Sequence, residues 1–181
     1  MPSEAIFGLH LVLGYVAWLL SFFTYAWPRL RSISGFEAQR AIATLHSFRF
    51  FGLVFILPGM IGPQLPAGFG TVAAYGDFAT GILAILALTT ANTRRLFSLF
   101  VIAFNVAGTV DILVDYYHGI KLNLPAVAGQ LGAAYGIVII YVPLLMITHV
   151  AAFYLLLRRQ TVTATVPAGE SGRARQASSY R

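Results

Sequence analysis

The chain has 181 residues, 58% of them hydrophobic and 10% charged, with a mean hydropathy of +0.77 and a net charge of +6. A soluble domain carries roughly 25% charged residues, and a water-exposed fold of this size has too little interior to hide so much apolar side chain, so the composition makes the lipid bilayer the chain's solvent and first partner. The absence of cysteine excludes disulfides, thiolate metal sites, iron–sulfur clusters and a cysteine nucleophile; the basic residues flank apolar runs instead of lining one face, which argues against nucleic acid.

Five apolar stretches follow one another, and each is predicted as a membrane-spanning helix. The first covers residues 5–27; it lacks a basic leader and its apolar run is too long for a signal peptide, so it reads as a retained helix. The second, 41–57, is short and ends where Pro58, Pro63 and Pro66 begin; it carries His46 and Arg49. The third, 71–90, follows a Gly-containing turn in LPAGFG and carries Asp77. The fourth, 96–115, presents Asn105, Gly108, Asp111 and Asp115 as one broad polar stripe. The fifth, 127–157, is long, contains Pro143, where a kink is expected, and carries His149. Small residues Ala128, Gly132 and Gly136, spaced by four, are expected to share one packing face. The domain is thus read as residues 1–159, a single all-α bundle of five transmembrane helices, and 160–181 as a disordered, basic cytoplasmic tail.

Charge in the connections gives the orientation. Arg29, Arg31 and Arg40, then Arg94 and Arg95, then Arg158, Arg159, Arg173, Arg175 and Arg181 all fall on one side, and only Lys121 on the other. The positive-inside rule therefore puts the N-terminal end outside and the C-terminal end in the cytoplasm, and the expected location is a bacterial plasma membrane. No long internal repeat marks an inverted-repeat carrier.

The charges inside the spans are the functional signal. A charge in hydrocarbon costs from about 3 to over 10 kcal/mol, so it is kept only if paired, wetted or used. Counting from the expected outer helix ends at about 1.5 Å per residue puts Asp77 about 9 Å deep, Asp111 about 6 Å and Arg49 about 12 Å, close enough for the guanidinium to reach either acid. Asp115 is expected to end its helix near water. His46 and His149 are placed to face each other, the geometry of a two-histidine haem site; His10 and His118 form a possible outer pair. His10, Asp77, Asp111, Asp115 and His118 also offer ligand types for a divalent metal, without an HExxH spacing. No GxSxG elbow, P-loop or dinucleotide fingerprint is present.

The order Arg49–Gly52, Leu65-Pro66-Ala67-Gly68, Gly76-Asp77 with Gly81, Asn105–Gly108–Asp111, and Pro143 with His149 resembles a group of small, multi-pass bacterial membrane proteins of unassigned function. The resemblance covers about residues 45–157 and implies that Arg49, Asp77, Asn105, Asp111 and His149 belong to one site. The resulting expectation is an outward-facing polar site for binding or transport of a small ligand or ion, working without a cofactor. In it Arg49 holds an anion or organises the acids, Asp77 and Asp111 pair with it, Asn105 orients the ligand and His149 relays protons. A metal- or haem-dependent membrane enzyme and a structural accessory subunit are the alternatives; a homo-oligomer or a partner membrane subunit is expected, because five spans are few for a solitary carrier.

Overall fold

The computed structural model describes residues 1–164, apart from the side chains of Ala67 and of residues 159–164. Among these described residues every regular element is helical, and four stretches are long and apolar enough to cross a membrane: Ser3–Ser32, Gly68–Thr89, Arg94–Lys121 and Ile137–Arg158. In chain order the elements are α1 (Ser3–Ser21), a π turn (Phe22–Ala26), α2 (Trp27–Ser32), α3 (Gly35–His46), a 3₁₀ run (Ser47–Ile56), α4 (Ala67–Thr89), α5 (Arg94–Lys121), a second 3₁₀ run (Leu124–Ala134), a second π turn (Ile137–Tyr141) and α6 (Val142–Ala164). Of the 160–181 segment, α6 takes in the residues up to Ala164; the expected tail beyond it lies outside the described residues.

Alanine and glycine occupy much of the bundle's interior beside larger side chains such as Phe104, Ile112, Leu131 and Leu145, while many large aliphatic and aromatic side chains face outward. Ala38, Ala43, Ala74, Ala84, Ala87 and Ala152 are fully buried, whereas Leu20, Phe23, Phe51, Ile120 and Val150 are more than half exposed. Water would punish that inversion, but lipid is as apolar as leucine, and small interior residues let helix backbones approach and gain dispersion contacts.

Both π turns end two residues before a proline. Pro28 and Pro143 have no N–H to give to the carbonyl four residues back, and the preceding turn widens: Trp27 N–H bonds Phe22 O, and Val142 N–H bonds Ile137 O. The carbonyls loosened near Pro143 are met by α1. Trp18 Nε1 donates to Ile140 O at 2.7 Å, and one turn earlier Gly14 lies against Ile139 O so closely that a methyl group has no room there. A tryptophan in mid-span thereby satisfies its polar edge.

The first 3₁₀ run decides what faces the interior. At three residues per turn, positions three apart eclipse, and His46, Arg49, Gly52 and Phe55 are all buried while Phe48, Phe50 and Phe51 face out. α3, which leads into it, starts at a Ser34-x-x-Glu37 cap in which Ser34 Oγ accepts from Glu37 N–H at 3.2 Å.

Three sequence-based expectations are corrected. The fourth helix does not stop at Asp115: it runs to Lys121 through Asp115, His118 and Gly119, and the chain turns at Asn123, whose φ is 49°. The fifth stretch is not one helix from 127: residues 124–134 are 3₁₀, and the chain breaks at Gly132 (φ 50°, ψ −128°), a conformation open to glycine. Ala128, Gly132 and Gly136 therefore share no α-helical face; Gly132 instead abuts Met60 O, and Gln130 O accepts Gly62 N–H at 2.6 Å, pinning the 57–66 loop to this segment. The second stretch is helical from Gly35, not from 41, and is 3₁₀ in its charged half.

Candidate functional site

Helix ends as observed place the charged residues at one level. Asp77 lies about 15 Å along α4 from its start and Asp111 about 15 Å back from the end of the antiparallel α5; Arg49 lies about 14 Å from the end of the 3₁₀ run at 2.0 Å per residue. In a hydrocarbon core about 30 Å thick that level is the middle.

There Arg49, 1% exposed, spends four of its five N–H groups on protein. Nε donates to Asp77 Oδ1 at 2.6 Å and Nη2 to Asp111 Oδ2 at 2.5 Å; Nη1 donates to Gly108 O at 3.3 Å and to His149 Nε2 at 3.1 Å. A planar guanidinium suits this because its donors point in fixed directions. Since His149 Nε2 accepts from Arg49, its ring proton sits on Nδ1, which donates to Asn105 Oδ1 at 2.9 Å; Asn105 Nδ2 then donates to Val101 O at 2.8 Å. The network assigns the tautomer and the amide orientation together. Every member is buried. Arg49 therefore organises the acids and is not free for an anion.

Glycines make the space. A Cβ at Gly52 or at Gly76 would fall on the carboxylate of Asp77 or Asp111 respectively, and one at Gly108 would come within 2.5 Å of both Arg49 Nη1 and His149 Nε2. Gly81 lets the Arg49–Phe50 backbone pass, with Phe50 N 3.0 Å from its notional Cβ. The spacings R-x2-G, GD-x3-G and N-x2-G-x2-D are thus four clearances around one ionic cluster.

His46 lies one turn before Arg49 on the same side of its helix. Its ring packs against that of His149 with centroids 4.1 Å apart and the planes tilted by 38°. Thr148 Oγ1 gives its proton to Leu144 O or Leu145 O and so accepts from His46 Nε2 at 3.0 Å, which leaves His46 Nδ1 buried with no partner among the described residues. Two histidines on one haem iron approach from opposite faces at roughly 2 Å each, putting their centroids roughly 6 Å apart with the porphyrin between; rings in direct contact at 4.1 Å do not fit that, and both nitrogens of His149 are taken.

The outer histidines do not join the cluster. His10 is exposed and shares a hydrogen bond of 2.9 Å with Tyr135 OH. His118 is half-buried on α5, its Nδ1 without a partner among the described residues. Among the described residues no three of His, Asp and Glu gather as a metal-holding group.

Next to the cluster lies a feature that polarity along the chain did not foretell: a cavity of about 520 Å³. Its wall comes from α1 (Phe7, Leu11), the 3₁₀ run (Phe55), the start of α4 (Phe69, Ala73), the last turns of α5 and the Leu124–Pro125 corner, with Val138 and Val142 behind. Asp77 and Asp115 are the two acids in this wall. Asp115, expected at a wet helix end, is half-buried, and its Oδ1 is shielded without a hydrogen bond among the described residues. Beside it Tyr116 OH and Tyr15 OH hydrogen-bond each other. The available signal was the extension of α5: Asp111, Asp115, Gly119 and Tyr116 lie along one side only if the helix runs past 115.

Comparison with known proteins gives one family match: the model of a domain of unknown function (DUF8737) covers residues 6–157. No curated protein and no solved structure matches the chain.

Proposed function

The chain belongs to the DUF8737 family, whose description carries no activity, and from the site alone we propose that it is a membrane-embedded binding or transport-related protein with an outward-opening pocket for a small ligand or ion. The observation that carries this reading is the 520 Å³ cavity whose wall includes Asp77, the residue held by Arg49. Cavities of this size take small molecules, and intramembrane ionisable residues mark ligand and ion sites.

In this reading the chain crosses the membrane five times. The crossing added to the four long apolar helices, second in chain order, is α3 with the 3₁₀ run, about 18 Å and about 20 Å long at their respective rises, enough to traverse the hydrocarbon. The loop arginines put the cavity end outside and α6's end in the cytoplasm of a bacterial cell. The motif order around Arg49, Gly52, Gly76, Gly81 and Gly108 marks a set of such proteins that share the cluster. Arg49 sets the positions of Asp77 and Asp111; Asp77 couples the cavity to the cluster; Asn105 and His149 hold Arg49 from the other side. Transport would run through a homo-oligomer or a partner membrane subunit.

Two measurements test this. The chain contains no cysteine, so single cysteines introduced at Asn123 and at Ser34 report sidedness in intact cells: the reading expects outside labelling at 123 only. Thermal unfolding of the purified protein against panels of cations, amines, carboxylates and neutral apolar molecules should show at least one class that raises Tm in the native chain and not in Gly119→Leu, whose side chain fills the cavity. No response in any class would leave a structural subunit as the better description, and a Soret band or stoichiometric metal in the purified protein would move it to an enzyme.

A further inference from the structure

We propose that the cavity binds a small amphiphile whose head is a protonated amine, with Asp115 as the acceptor of that head; this rests on the pocket reading above and specifies its ligand class. Three observations lead there. The first is charge. Among the described residues the cation nearest these acids, Arg49, is already bound to Asp77 and Asp111, and Asp115 stands one turn further along α5. Among the described residues Asp115 has neither an ion pair nor a hydrogen bond to its buried Oδ1, and no lysine, arginine or histidine lines the cavity. An anionic head finds no cationic side chain in this wall, whereas a cation supplies the partner that Asp115 lacks.

The second observation is the apolar wall. Phe7, Leu11, Phe55, Phe69, Val138 and Val142 surround most of the space, so the occupant's body is hydrocarbon or aromatic. A bare divalent ion is a poor match, since magnesium and calcium require six or more oxygen ligands and this wall offers few. The third is the position of the acid. Asp115 lines the wall together with Tyr116 and with Asn123 at the α5 corner, so the acid stands at the cavity surface, within reach of an entering head group. An ammonium bearing N–H groups gains a charge-assisted hydrogen bond to the carboxylate.

The probes are three near-isosteres, 4-phenylbutylamine, 4-phenylbutanol and 4-phenylbutyrate, titrated calorimetrically into the full chain in detergent at neutral pH. The expected order is amine tightest, by about tenfold or more over the alcohol, the margin of one charge-assisted hydrogen bond, with the acid weakest. Asp115→Asn should erase the preference for the amine while keeping the alcohol's affinity, and Gly119→Leu, whose added Cβ has only an ordinary 3.6 Å contact with Leu124, should weaken all three. Equal binding of amine and alcohol by the native chain, tighter binding of the acid, or an unchanged amine preference in Asp115→Asn overturns the amine proposal and leaves the pocket standing. If none of the three binds, or if Gly119→Leu binds them undiminished, the pocket reading falls and the proposal with it. Should Asp115→Asn not yield monodisperse protein, the native chain and Gly119→Leu decide between these outcomes.

Discussion

Asp111 and Asp115 stand one turn apart on the same helix, yet they occupy two different environments. Asp111 belongs to a region in which nearly every polar atom is matched: its carboxylate meets Arg49, Arg49 meets His149, His149 meets Asn105, and glycines clear the way. Asp115 lines a cavity and, among the described residues, has no matching cation. The difference teaches that residue type and depth do not assign a role inside a membrane; the number of partners already spent does. A closed network fixes helix order, because removing any one member strands the rest, whereas an unpaired acid beside open space has bonding capacity left for something that arrives.

That contrast can be broken most violently through the clearances. Gly108→Val puts methyl groups where Arg49 Nη1 and His149 Nε2 now lie, and we expect no folded protein, read as loss of the monodisperse peak in detergent size-exclusion chromatography. Arg49→Gln comes next: it leaves Asp77 and Asp111 buried without their cation, at a cost of about 3–5 kcal/mol, measurable by reversible unfolding in denaturing detergent. Arg49→Lys should recover little of it, since a point charge cannot serve both carboxylates and His149, while the triple change Arg49→Met, Asp77→Asn, Asp111→Asn should recover part. Asn105→Ala removes the acceptor that holds His149's proton on Nδ1 and should cost about 1–3 kcal/mol. Trp18→Phe, which loses one hydrogen bond to Ile140 O, should cost about 0.5–1.5 kcal/mol. Smallest of all is Asp115→Asn, expected within about 0.5 kcal/mol of the native chain; a loss as large as that of Asp111→Asn would show that the two acids do not differ in the way described.

Much of this arrangement is legible along the chain, and the parts that are not have physical causes. Arg49, Asp77, Asn105, Asp111 and His149 stand out because each is a polar residue inside an apolar run, and the structure brings all five around one guanidinium. Depth is harder to read. Hydropathy falls at Asp115, but backbone hydrogen bonding continues to Lys121, so counting from the apolar boundary made the acids too shallow and hid the cavity beside them. The helix type of the second stretch is also obscured, since its composition is compatible with an α-helix; only the spacing of its non-lipid residues, His46, Arg49, Gly52 and Phe55 at a strict interval of three, points to 3₁₀ geometry. His10 and His118 drew attention as titratable residues near one membrane face, but side-chain type does not reveal that His10 bonds to Tyr135. The small-residue spacing in residues 128–136 was compatible with an α-helical face until Gly132 took a positive φ.

The 3₁₀ run between Ser47 and Ile56 has a mechanical consequence. It is a screw of steeper pitch than the helices around it: rewinding it to α geometry would shorten it by about 5 Å and rotate Gly52 about 60° relative to Arg49. Gly52 is the one position on that thread that can pass the Asp77 carboxylate, and Asp77 is the acid that Arg49 grips. One carboxylate thus sets the register of the thread at two successive turns, gripped at Arg49 and passed at Gly52.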